Sequence, residues 1–213
     1  MFVFHFVRDL ELFGVLPPGT TLGGIWYVLA RVVAGSFFFF AGVSLVLAHG
    51  EAIRWQSFWR RLVVIGLAAL AISVVTYAAM PSRFIYFGIL HSIAVCSLVG
   101  LPFLRMTPFL TIIASLAILA LHLSGTHPLT SAIWSFTGLS TSVRPALDLL
   151  PILPWVSVLL LGVAFAKLWR LTPTPSTVLK ERLAWPGRHC LPIYLLHQPI
   201  LLGVIWLMLK VLR

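Results

Sequence analysis

In the stretch "RHCLPIYLLHQPILL", Tyr194, His197 and Gln198 stand at i, i+3 and i+4, so a helix there carries all three on one face. An imidazole that titrates near neutrality, with a phenol and an amide beside it, can move protons or accept an acyl group. A second pair, His5 and Asp9 in "FHFVRDLELFG", has the i, i+4 spacing that lets a carboxylate orient an imidazole. His91 and Arg31 add two more ionisable groups within apolar segments. Arg31 is expected to pair with Asp9. Metal chemistry has no matching signature, since no HExxH motif and no Cys/His cluster of ligand spacing occurs. P-loop and GxGxxG strings are absent too, and the chain has no Asn, which excludes glycosylation sequons.

Polar groups in apolar segments matter because of what surrounds them. Of 213 residues, 60% are hydrophobic and 9% charged, against roughly a quarter charged in soluble domains. Mean hydropathy is +1.05. The apolar runs are continuous rather than alternating at period two, which argues for membrane helices over a barrel. Seven segments follow, at roughly 1–16, 22–48, 62–81, 84–104, 108–124, 152–170 and 189–210. The expected architecture is all-α: a polytopic integral membrane protein with about seven transmembrane helices, residues 1–213 forming one transmembrane helical domain. Between the segments lie "EAIRWQSFWRR", the short "PSR" and "RMTP", a long loop from Gly125 to Pro151, and a Pro-rich stretch. Within the last, "TVLKERLAW" reads as a short interfacial amphipathic helix.

The formal net charge of +10 sits mostly between apolar runs, where it sets topology and meets anionic lipid rather than nucleic acid. Arg54, Arg60, Arg61, Arg105, Lys167 and Arg170 fall on one side with Lys180, Arg182 and Arg188. The positive-inside rule makes that side cytoplasmic and puts the C-terminus outside. Counted from the segment ends, His197 lies about 12 Å deep, His91 about 10 Å and Arg31 about 14 Å. His5 falls at a similar depth. Ionisable groups at such depths face a cavity or one another. Segment 1–16 spans about 24 Å, short of the ~30 Å hydrocarbon core, so the first helix reads as truncated. Either the true start lies upstream, or a partner or cavity shelters that end. No basic leader with a small-residue cleavage site points to a removed signal peptide.

In order along the chain, "FHFVRDLELFG", "RVVAGSFFFFAGVSLVLAHG", "FIYFGILHSIAVCSLVGLPFL", "PILPWVSVLLLGVAFAKL" and "GRHCLPIYLLHQPIL" resemble the bacterial branch of the heparan-alpha-glucosaminide N-acetyltransferase catalytic-domain family. The resemblance implies a multi-helix acetyltransferase of the bacterial inner membrane. It would take acetyl from cytoplasmic acetyl-CoA, with no metal, and deliver it across the membrane to an amino sugar or similar acceptor. Two departures accompany it. Members usually carry an upstream stretch with an Asp and an Arg-Gly pair. Lysosomal members also place a histidine in the loop after the first helix, where this chain reads "VLPPGTTLGGIWY". Chemistry therefore falls to His197, His5 or His91, with Asp9 orienting His5. Tyr194, Gln198 and Arg31 would line the substrate path with His91, and Arg182 and Arg188 would hold the phosphates of CoA, with Arg54, Arg60 or Arg61 as further candidates. The alternative is a non-catalytic accessory subunit packed against partner membrane proteins, lipids or a second copy. A transporter would use the same midplane groups, but the two halves show no inverted repeat.

Overall fold

A computed structural model describes residues 1–172, 182, 185, 187 and 189–211. Its described residues are all-α: α1 (Phe2–Leu12), α2 (Gly24–His49), α3 (Trp55–Ala79), α4 (Ile89–Gly100), α5 (Pro108–Leu123), α6 (Ile152–Leu168) and α7 (Cys190–Val211). Of these, α2, α3 and α7 are long and apolar enough to cross a membrane, while α4, α5 and α6 are shorter apolar helices. "TVLKERLAW", as a segment, and Arg188 lie outside the described residues.

Two boundaries differ from the sequence reading. The Trp- and Arg-bearing "WQSFWRR" is the first two turns of α3 rather than a loop. Helix propensity does not exclude Arg or Trp, and both side chains suit a membrane interface, so hydropathy alone places the start too late. Conversely α4 begins at Ile89, not near residue 84. Residues 83–88 instead pair with the long loop: Leu147 N donates to the Arg83 carbonyl at 2.7 Å and Leu150 N to the Phe87 carbonyl at 3.2 Å.

The chain divides into two compact units. In the first, comprising Met1–Ala34 and the described residues of Thr174–Arg213, α1 packs on α7. The Glu11 carboxylate closes the loop between α1 and α2 by accepting from Gly19 N, Thr21 N and the Thr21 hydroxyl. Gly19 turns the chain there with φ at +89°, a left-handed conformation that costs glycine little.

The second unit, Gly35–Pro173, is built around the crossing of α2 on α6. Phe38, Leu45, Leu159, Leu160 and Val163 have no exposed surface there. The Phe38 and Trp155 rings stack 5.5 Å apart. Two glycines set how near the helices come. A Cβ built on Gly42 would lie 2.0 Å from the Leu159 carbonyl oxygen, and one on Gly162 the same distance from that of Phe39. Lipid tails match apolar side chains in polarity, so helices in a membrane gain by close backbone approach, which small residues permit.

Inter-helix polar bonds complete the unit. Buried Ser115 on α5 donates to the Ser157 carbonyl on α6 at 2.8 Å. Lys167, near the C-terminal end of α6, donates its three ammonium protons to the carbonyls of Phe103, at 2.9 Å, Leu104, at 2.8 Å, and Met106. These carbonyls lie in and just past the 3-10 turn that follows α4, Pro102–Leu104, where a cation is favoured. Lys167→Met keeps the stem but removes every donor. We expect a loss of about 1–3 kcal/mol and a thermal midpoint lower by about 2–4 °C per kcal/mol, measured by unfolding in detergent. An unchanged midpoint would show that the carbonyls find other donors.

Candidate functional site

The first unit gathers most of the polar residues singled out from the sequence. Along α7 the helical repeat sets Tyr194, His197 and Gln198 on one face, and α1 brings His5 and Asp9 to it. Asp9 is only 2% exposed and His197 only 4%. The His197 ring meets His5 with ring centroids 4.8 Å apart, Phe2 at 5.3 Å and Tyr194 at 5.4 Å. Gln198 Nε2 donates to Asp9 Oδ1 at 2.6 Å, joining α7 to α1.

The hydrogen bonds fix which atoms remain available. His197 Nδ1 lies against the Tyr194 carbonyl. A carbonyl only accepts, so Nδ1 carries the proton and Nε2 of the neutral ring is left as a bare base. Among the described residues, three buried atoms here lack a hydrogen-bond partner: His197 Nε2, Asp9 Oδ2 and Gln198 Oε1. All three are acceptors. Buried polar groups without partners are rare and costly, so a set of three implies a donor-bearing ligand or water.

Two expected pairings are not formed. Asp9 turns toward Gln198 on α7 and makes no hydrogen bond to His5, although the i, i+4 spacing allows one. Arg31 lies with its guanidinium 3.6 Å from the centroid of the Tyr27 ring one turn earlier on α2 rather than at Asp9. A cation over an aromatic face is favourable where water is scarce, and the i−4 neighbour requires no other helix to move.

His91 belongs to the second unit. Its Nδ1 accepts from Gly88 N at 3.2 Å, capping α4, and its Nε2 lies 3.3 Å from Ser73 Oγ. Since Nδ1 accepts, Nε2–H donates to Ser73, whose own hydroxyl donates to the Ile85 carbonyl at 2.7 Å. Both nitrogens of His91 are thus engaged in holding the start of α4. Arg182 is exposed. His189 Nδ1 bonds the Trp185 carbonyl at 2.9 Å and its ring stacks on Trp185. Gln198 as the partner of Asp9 was not legible from spacing, because the two are 189 positions apart.

The family model described as Heparan-alpha-glucosaminide N-acetyltransferase, catalytic, matches residues 1–199. The chain belongs to this family. Comparison with curated proteins and with solved structures returns no match. The matched range covers α1 through α6 and continues into α7 as far as Pro199, so it takes in both histidines and the Asp9–Gln198 pair of the α1–α7 site. Membership of the heparan-alpha-glucosaminide N-acetyltransferase catalytic family, together with the apolar helices, makes this a membrane protein of an acetyltransferase family.

Proposed function

We propose that the α1–α7 site transfers acetyl from cytoplasmic acetyl-CoA to an amine- or hydroxyl-bearing acceptor, an amino sugar or similar molecule, presented from the far side of a bacterial inner membrane. The observation that carries this reading is the bare, buried Nε2 of His197 beside two further unpartnered acceptors. In this scheme Nε2 takes the acceptor's N–H or O–H proton while that heteroatom bonds to the acetyl carbon. The thioester C–S bond breaks, and the proton passes from Nε2 to the departing thiolate of CoA. Asp9 Oδ2 and Gln198 Oε1 accept the acceptor's remaining donors and hold it for attack. Asp9, anchored through Oδ1 to Gln198, keeps α1 in register with α7. His5, edge-on to His197, fixes the plane of its ring. His91, with both nitrogens engaged, is assigned a structural role in this scheme. Exposed Arg182, with Arg188, supplies guanidinium groups for the CoA phosphates.

Binding of the donor tests the scheme without knowledge of the acceptor. A ligand that binds only the folded protein stabilises it by about 2.7 kcal/mol at a hundred times its Kd. Thermal unfolding in detergent should therefore rise with acetyl-CoA and CoA concentration, and the rise should shrink in Arg182→Gln. No shift at millimolar donor would remove the enzyme reading in favour of a subunit without chemistry.

A further inference from the structure

The second unit has one end built differently from the other. At its Arg-rich end the helices finish level: His49, Trp55, Leu104 and Arg105 line one shallow recess, and Lys167 binds the carbonyls after α4. From that level α3 runs 25 residues, about 37 Å, enough for the ~30 Å hydrocarbon core. The shorter helices of the unit stop sooner. With 16 residues in α5 and 17 in α6, they reach only about 24–25 Å, and α4 with its 3-10 turn about 24 Å. Three adjacent helices thus end roughly 6 Å short of the hydrocarbon boundary on the far side.

The loop between α5 and α6 fills that missing depth. Leu147 and Leu150 pair with the 83–88 segment as described above, and Tyr86 OH meets Ser135 Oγ at 2.7 Å. The Phe87 and Phe136 rings lie 5.3 Å apart. Within the loop, Leu129 N donates to the Leu139 carbonyl and Thr141 N to the Leu129 carbonyl, at 3.2 and 2.9 Å. Ser140 Oγ bonds the carbonyls of both Ser131 and Ser142. The loop is therefore a cap pinned by these bonds to the 83–88 segment and to itself. A short 3-10 helix, Ala132–Thr137, forms its edge. Ser135 and Phe136 face inward from this helix onto Tyr86 and Phe87. Ile133 and Trp134 face outward, 72% and 46% exposed.

We propose that this outward edge is a membrane-docking face, with Ile133 and Trp134 seated in the acyl-chain and headgroup boundary of the leaflet at the cap end. The helix shortfall argues for lipid as the occupant, because it holds both ends of the loop at or below the hydrocarbon boundary rather than out in water. An apolar side chain and an indole are the residue types that this boundary favours. Leu123, the last residue of α5 and 74% exposed, continues the apolar surface from helix to cap.

Spin labels at Ile133→Cys and, separately, Trp134→Cys test this in phosphatidylcholine nanodiscs. The background is Cys190→Ser, since Cys96 is wholly buried. Val64→Cys on the exposed face of α3 serves as the lipid reference and Glu51→Cys as the water reference. Power saturation should show both cap labels relaxed by oxygen and lost to nickel chelate, like the label at residue 64. Relaxation by nickel chelate like that at residue 51 would overturn the proposal by placing the edge in water. Shielding from both relaxants would overturn it in favour of a protein partner or second copy. The labels report on lipid contact alone, so neither result depends on the acetyltransferase reading.

Discussion

His197→Ala is expected to lower acetyl transfer by about 10²–10⁴-fold, the range that a positioned general base contributes. The effect should appear in kcat, because in the proposed scheme the imidazole acts on the proton that moves in the transition state rather than on the donor's nucleotide. Donor binding, read by thermal shift, should therefore persist in the variant. His197→Gln gives a second measure, since it refills much of the space with a group that cannot act as a base at neutral pH. If both variants turn over labelled acetyl-CoA with glucosamine within twofold of the parent, the base lies elsewhere. The neighbour His5 would then be the next residue to change.

The second large effect concerns the α2–α6 crossing. Gly162→Ala places a methyl 2.0 Å from the Phe39 carbonyl oxygen, and Gly42→Ala does the same against that of Leu159. Neither backbone can yield without parting the helices and loosening Phe38, Leu159 and Val163 around them. Overpacking of this kind costs about 1–3 kcal/mol, occasionally more, so each variant should lose roughly that in detergent unfolding. The double variant should lose less than the sum, because a crossing opened by one methyl has room for the other. Gly66→Ala on α3 is the control. Its Cβ would meet nothing within 4 Å, and alanine in a helix is favoured over glycine by about 1 kcal/mol. Equal stability of all three variants would show that the helices do not approach this closely.

These two cases show how differently residues announce themselves. The face shared by Tyr194, His197 and Gln198 is legible because the helical repeat is a local property, fixed by 3.6 residues per turn wherever the helix lies. A lone glycine in "FFFFAGVSL" or "LLLGVAFA" gives a weaker signal. Its helix penalty hints at a packing reason, but only a second helix shows which carbonyl it meets. Lys167 reads as a topology charge in the sequence, yet in space its ammonium closes the 3-10 turn after α4. The loop from Gly125 to Pro151 reads as a connection, and its role as a cap depends on a segment 49 to 64 positions earlier.

The amino-acid sequence by itself determined the membrane class, the helical architecture, the family and the pairing of residues along each helix, because hydropathy and helical spacing act within a few turns of chain. Only the tertiary structure decided which acceptor each donor meets. The Asp9 carboxylate could satisfy its desolvation through His5, Arg31 or Gln198, and composition does not rank them. Packing of α1 on α7 brought Gln198 within 2.6 Å, Tyr27 lay within one turn of Arg31, and His197 Nε2 was left buried and unpartnered. The Asp9–Gln198 contact turns on displacements of an ångström or two between helices, a distance over which a hydrogen bond is made or lost.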